Sequence, residues 1–125
     1  MYRRLTVEEN IWMSAALRLP AEAARSGGVA RSVSHVLAQM RLLHVAHSAI
    51  GDEDVRGVSG GERKRTNIAL ELVVRPACIF IDEPTTGLDA AAAKDVITCI
   101  AEVTEREGLT VACVVHQPRH EVSPP

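Results

Sequence analysis

The stretch ACIFIDEPTTGLDAAAAKDV, residues 77–96, decides the fold. Its apolar opening is short and continuous, and it stops abruptly at Asp82-Glu83-Pro84. A run of that kind has the look of a buried parallel strand that delivers two carboxylates at its C-terminal edge. Asp89 then stands where a helix cap belongs, ahead of an alanine-rich segment that runs to Gly108, and LTVACVV, residues 109–115, reads as the next strand, ending at His116. Strand, helix, strand in that order predicts an α/β fold with a mainly parallel sheet. Ligands of open α/β sheets sit beyond the carboxyl ends of the strands, and Asp82, Glu83 and His116 all fall at such ends. Of two adjacent carboxylates there, one suits a hard cation such as Mg²⁺ through oxygen and the other the orientation or deprotonation of a water. His116 suits a hydrogen bond to a phosphate oxygen. Taken alone, the Asp-Glu pair reads equally well as a solvated turn.

Immediately upstream, VRGVSGGERKRTNIALELV, residues 55–73, leads into a helix predicted from Gly61 to Val74. The apolar pairs Ile68/Leu72 and Ala69/Val73 keep helical spacing, and Ser59 and Glu62 stand in capping-box register before them. Gly60 and Gly61 let a backbone approach a ligand closely, and Ser59 adds a hydroxyl. Arg63, Lys64 and Arg65 are placed at the start of this helix, the wrong end for cations by about 0.3–1 kcal/mol each unless an anion is near. Free backbone N–H groups with adjacent cations predict a phosphate site. The simpler alternative is a capping box followed by a solvated basic face, and the two readings can coexist.

Working toward the N-terminus, LTVEENIWMSAALRLP, residues 5–20, reads as a short amphipathic helix. Thr6 and Glu9 have capping spacing, Val7, Ile11 and Ala15 share a face, and Pro20 stops it. AEAARSGG, residues 21–28, reads as a linker. Over residues 29–47, Val29, Val33, Val36, Met40 and Leu43 form the strongest helical stripe of the chain, closed by Gly51 and the acidic GDED run. Neither internal repeats nor a low-complexity tract beyond the alanines at 90–93 is present, and the final EVSPP reads as a frayed end.

Bulk properties narrow the class. With 125 residues, 46% of them hydrophobic, the chain has material for one modest domain or part of one. A net charge of −2 gives no basic field for nucleic acid, so no nucleic-acid partner is expected. Cys78, Cys99 and Cys113 form no C-x-x-C pair and read as buried thiols in a reducing compartment. No stretch reaches the ~18 apolar residues of a membrane-spanning helix, which predicts a soluble chain. Aromatic residues make up only 2%, which leaves little surface for stacking an adenine. His44/His47 and His116/His120 lack a third ligand at metal-site spacing and read as ordinary histidines. Met13 and Met40 read as packing residues.

Three segments, VSGGERKR, CIFIDEPTTGLDA and VVHQPR, occur in that order. Together they resemble the nucleotide-binding domain of ATP-binding cassette transporters: signature motif, Walker B strand with D-loop, and switch-histidine loop. Glu62 followed by Arg63-Lys64-Arg65, with the 5–20 segment and HQPR, is similar to subfamily G, the white-type half-transporters. The resemblance implies a partial P-loop NTPase domain within 1–125, with a helical subdomain and signature helix over about 5–75, the Walker B, D-loop and switch-histidine part over about 76–119, and a tail at 120–125. It implies ATP and Mg²⁺ as cofactors, a second nucleotide-binding domain as homo- or heterodimeric partner, and a transmembrane domain of the parent transporter. Ser59, Gly60, Gly61 and Glu62 would face a nucleotide held by the partner, Asp82 would hold Mg²⁺ through water, Glu83 would be the catalytic base, Asp89 would communicate across the dimer, and His116 would contact the γ-phosphate. Export of lipid-like or hydrophobic substrates from the cytoplasmic face of a membrane is the implied task, the isolated chain itself being cytoplasmic.

No segment has the form G-x-x-x-x-G-K-[ST], so Walker A is absent, and the resemblance implies a chain that starts part-way through the domain. Two other classes stay open: a non-catalytic module that docks on an intact cassette and lends only its signature loop, and a soluble cassette ATPase acting on nucleic acid or the ribosome. The RGVSGGERKR and HQPR spellings weigh against the latter.

Overall fold

A computed structural model describes residues 1–52 and 56–115. His116 and the 120–125 tail lie outside the described residues. The first helix, α1 (Val7–Arg18), starts at a complete capping box: the Thr6 hydroxyl accepts from the Glu9 N–H, and the Glu9 carboxylate accepts from the Thr6 N–H at 2.8 Å. That backbone bond first, and the hydroxyl second, hold the Glu9 carboxyl below its ordinary value against a small effect of burial. Val7, Ile11 and Ala15 are buried as their spacing predicts. Asn10 is buried with them because its amide is fully used, accepting from the Tyr2 N–H and donating to the carbonyls of Tyr2, Leu5 and Thr6.

Where a linker is expected, a five-residue helix α2 (Ala21–Arg25) forms from good helix formers. It turns through Gly27, at φ 71°, into α3 (Gly28–Gln39). Gly28 is required there: a Cβ would fall 2.3 Å from the Ala23 carbonyl oxygen. Val29, Val33, Val36 and Met40 are buried, but the helix stops at Gln39 instead of continuing to residue 47. Arg41 takes a left-handed φ of 53°, and the Leu42 N–H closes back on the Leu37 carbonyl at 2.8 Å. Leu42 thereby takes the interior place that the stripe gives to Leu43, which is 61% exposed in a 3-10 turn, Leu43–Val45.

Residues 48–51 then run antiparallel to the segment before α1: Val7 N–H donates to the Ser48 carbonyl, Ile50 N–H to Leu5 and Gly51 N–H to Arg3. The chain next enters α4 (Gly60–Leu72), β1 (Cys78–Asp82), α5 (Ala90–Glu107) and β2 (Thr110–Val114). The strands pair parallel, with Cys78 opposite Thr110 and Asp82 opposite Val114, as the strand, helix, strand order requires. α1, α3, α4 and α5 share one apolar core, into which Ile79 of β1 also packs.

Two expectations about this sheet do not hold. Among the described residues, helices cover only the face carrying Ile79, Ile81 and Val111, so Phe80 stands 85% exposed and β1 is not a strand buried on both sides. Cys78 shares the open face of Phe80 and is exposed for the same reason; Cys113 follows Val111 on the covered face but is also exposed near the strand end, and only Cys99, inside α5, is buried. Burial foremost pushes the Cys99 thiol up, with the nearby Arg41 and Arg65 guanidinium groups pulling the other way. In Cys113, burial and then the Asp82 carboxylate push the thiol up.

Candidate functional site

The α4 N-terminus is built from its own sequence. Ser59, extended at φ −62° and ψ 163°, accepts the Glu62 N–H on its hydroxyl, and Glu62 accepts the Ser59 N–H at 2.8 Å. A helix start has four backbone donors without an intrahelical acceptor, here Ser59, Gly60, Gly61 and Glu62. The box takes the first and the last. For the amides of Gly60 and Gly61 no acceptor is found among the described residues. Glu62 also accepts from His44 Nε2 at 2.9 Å. Burial acts to raise the Glu62 carboxyl, but the Ser59 backbone bond, the Ser59 hydroxyl and His44 together outweigh it and hold the group below its ordinary value.

The glycines have an intramolecular reason as well. A Cβ on Gly60 would stand 3.1 Å from Leu88 Cδ2, and one on Gly61 3.3 Å from the Ala92 Cβ. Their missing side chains let the start of α4 settle on the turn and first residues of α5. Gly61 is buried there, and Gly60 is exposed.

The basic run behaves as neither reading expects. With α4 starting at Gly60, Lys64 and Arg65 already lie in its second turn. Arg63 donates to the carbonyls of Ile50 and Gly51, both at 3.4 Å, and Lys64 donates to the Glu83 carbonyl at 3.1 Å. Arg65, only 9% exposed, lies beside Cys99. These cations tie α4 to its own chain. Any anion at this helix start therefore meets backbone N–H groups and not a basic patch.

Across from Lys64, the carboxylates leave β1 in a constrained turn. The Glu83 N–H continues the ladder to the Val114 carbonyl at 2.9 Å, yet Glu83 itself has a left-handed φ of 46°. Its carboxylate accepts from the Thr86 hydroxyl at 2.8 Å, and its carbonyl from the Thr86 N–H at 3.3 Å. Pro84 is buried, Gly87 supplies a φ of 79°, and Asp89 caps α5 by accepting the Ala92 N–H at 2.8 Å. Asp82 is exposed at the strand end. The fold thus brings the start of α4 against the turn that carries Glu83 and Asp89, Gly60 meeting Leu88, Gly61 meeting Ala92 and Lys64 meeting the Glu83 carbonyl.

Lys64, Thr86 and His44 are contacts that the motif reading passes over. Lys64 did carry a signal: no acidic residue stands three or four positions from it on α4, so its charge has to be used elsewhere. His44 carried none. No cluster of three or more metal-ligating side chains occurs among the described residues, and none of their helices is long and apolar enough to cross a membrane.

Comparison with known proteins identifies the family. The ABC transporter family pattern matches residues 1–86. The broad substrate specificity ATP-binding cassette transporter ABCG2 of Sus scrofa is 44% identical over 118 residues, covering 94% of this chain and 18% of that protein. ABC transporter G family member 11 of Arabidopsis thaliana is 45% identical over 118 residues, covering 94% of this chain and 16% of that protein. The ABC-type transporter claG of Penicillium crustosum is 44% identical over the same length, again 94% of this chain and 16% of that protein. The chain spans less than a fifth of the length of these curated relatives. By its family pattern, its subfamily G relatives and its helices packed on a parallel strand pair, the chain belongs to the ABC transporter family, subfamily G, as part of a P-loop NTPase-type ATP-binding domain.

Proposed function

We propose that this chain supplies the signature and Walker B halves of two composite ATP sites in a transporter that couples hydrolysis to export of hydrophobic or lipid-like substrates. The observation that carries the reading is the pair of Gly60 and Gly61 amides left over by the Ser59/Glu62 box, on glycines that pack against Leu88 and Ala92 where the Asp82–Glu83 turn leads into α5. In this reading residues of about 5–75 form the helical subdomain, and those of about 76–119 belong to the catalytic core. Ser59, Gly60 and Gly61 meet the terminal phosphate of an ATP held by a second nucleotide-binding domain, with Glu62 fixing the helix start. Asp89 orders the turn that faces the partner, and His116 contacts the γ-phosphate.

Glu83 takes the proton of the attacking water on its carboxylate, while the Thr86 hydroxyl holds one of its oxygens in place. The exposed Asp82 carboxylate next to Glu83 is an all-oxygen donor set of the kind Mg²⁺ accepts, one or two carboxylates with the remaining positions left to water and phosphate. Mg²⁺, when bound, neutralises developing phosphate charge. The membrane domain of the same transporter is the mechanical partner, reached from the cytoplasmic side.

The test is Glu83→Gln in an assembled transporter carrying this sequence. Turnover should fall by roughly 10²–10⁴-fold while ATP still binds and the closed dimer accumulates. Hydrolysis at a near-normal rate would remove Glu83 from the mechanism.

A further inference from the structure

The bond from Lys64 to the Glu83 carbonyl joins two parts that the reading above assigns to different ATP sites. Lys64 stands two residues beyond Glu62 on the same helix, so its backbone moves as one body with the turn that would meet the partner's nucleotide. Glu83 belongs to the chain's own site. Nineteen residues separate the two in sequence, and the contact at 3.1 Å is half-buried.

The acceptor end of this bond is the strained one. A non-glycine residue at φ 46° keeps that backbone only where its surroundings hold it. The ladder bond to Val114 and the turn bond from Thr86 come from the strand and turn themselves. The Lys64 ammonium adds an anchor from α4, a charge-assisted donor aimed at a carbonyl of a peptide that flanks the Glu83 Cα and helps set its side-chain direction. With no acidic side chain three or four positions away, Lys64 has no competing intrahelical partner. Thr86, which accompanies it, touches both the Glu83 carbonyl and carboxylate, so backbone and side chain of Glu83 are held by one small set of groups.

We propose that Lys64 is a positioning residue for Glu83, through which seating of the Ser59–Glu62 turn on a partner's phosphate sets the orientation of the chain's own general base. The proposal rests on the reading of Glu83 as that base. It makes the two composite sites mechanically dependent: a displaced α4 start pulls on the Glu83 peptide before any partner residue reaches it.

The experiment compares Lys64→Met, which keeps an aliphatic stem and removes the donor, with Lys64→Arg, which keeps a charged donor, in an assembled transporter carrying this sequence, with Glu83→Gln as the control. Lys64→Met should lower kcat by about 10–100-fold, the scale of a slightly misplaced catalytic group, with KM for ATP and the thermal midpoint little changed. Lys64→Arg should recover most of the lost kcat. A purely structural lysine would instead lower thermal stability and the amount of active protein together, leaving kcat per folded molecule intact, and that result overturns the proposal. So does a kcat within about twofold of wild type in Lys64→Met when Glu83→Gln is inactive. A fully active Glu83→Gln overturns the reading of Glu83 first and the role of Lys64 with it. If Lys64→Met does not fold, Lys64→Leu, which also lacks a donor, is read by the same kcat per folded molecule, with the same two outcomes.

Discussion

Replacing Glu62 by glutamine tests the helix start on which the site depends. The Glu62 side chain is 16% exposed, and its two oxygens serve different donors: Oε2 takes the Ser59 N–H at 2.8 Å and Oε1 takes His44 Nε2 at 2.9 Å. Glutamine has one accepting oxygen, so it can keep the Ser59 bond only by turning its NH₂ toward His44. It also removes a negative charge from the positive end of α4, worth about 0.3–1 kcal/mol, and weakens two charge-assisted bonds to neutral ones. The sum is about 1–2 kcal/mol at pH 7, or about 4–10 °C in the unfolding midpoint of a chain this size. Because the folded-state Glu62 carboxyl is held below its ordinary value, its contribution is complete above the unfolded value near 4.5 and is lost as pH falls through the lowered one. Thermal unfolding of the 125-residue chain and of Glu62→Gln, monitored by circular dichroism at pH 7, 5 and 3, reads this directly. The gap should be full at the two higher values and shrink at the lowest. Equal midpoints at pH 7, or a gap that does not change down to pH 3, would refute the capping argument.

Asp89→Ala removes the cap of α5 and should cost about 1 kcal/mol by denaturant titration, without altering the slope of the transition. Gly57→Ala would set a Cβ 2.0 Å from the Ile50 carbonyl oxygen, so the loop must move and the loss of stability should exceed that of any cap variant; a smaller loss would mean this close approach is not kept in solution. Disulfide reagents under native conditions should modify Cys78 and Cys113, with Cys99 reacting only on unfolding, and mass spectrometry of the labelled peptides checks the order. The 125-residue chain should bind Mg-ATP more weakly than micromolar, because its sequence has no G-x-x-x-x-G-K-[ST] loop to cradle phosphates; calorimetry showing micromolar affinity would contradict this.

Features written within four residues of themselves were readable from the sequence. Thr6 with Glu9, Ser59 with Glu62, and Asp89 ahead of Ala92 are side-chain-to-backbone arrangements whose partners are fixed by helical geometry before any tertiary contact forms. The parallel strand pair was readable because an apolar run ending in charge, followed by one helix, has few ways to return. Other features needed the assembled fold. The end of α3 depends on whether Leu42 or Leu43 finds the interior, which periodicity cannot decide once Arg41 goes left-handed. The targets of Arg63 and Lys64 lie 12 to 19 positions away, on carbonyls that carry no sequence signature. The place of Gly61 against Ala92 is likewise a matter of how two helices meet.

The sheet sets a practical limit on how this chain behaves as a solute. Two parallel strands form the whole sheet among the described residues, so each has an outer side whose N–H and C=O groups lack a neighbouring strand, next to the exposed ring of Phe80. Backbone donors and apolar surface presented together are a template for another strand, whether from a second molecule or a transiently opened one. As the solution is concentrated, self-association should therefore set in while the helical core is still intact, and light scattering should rise before any spectroscopic sign of unfolding.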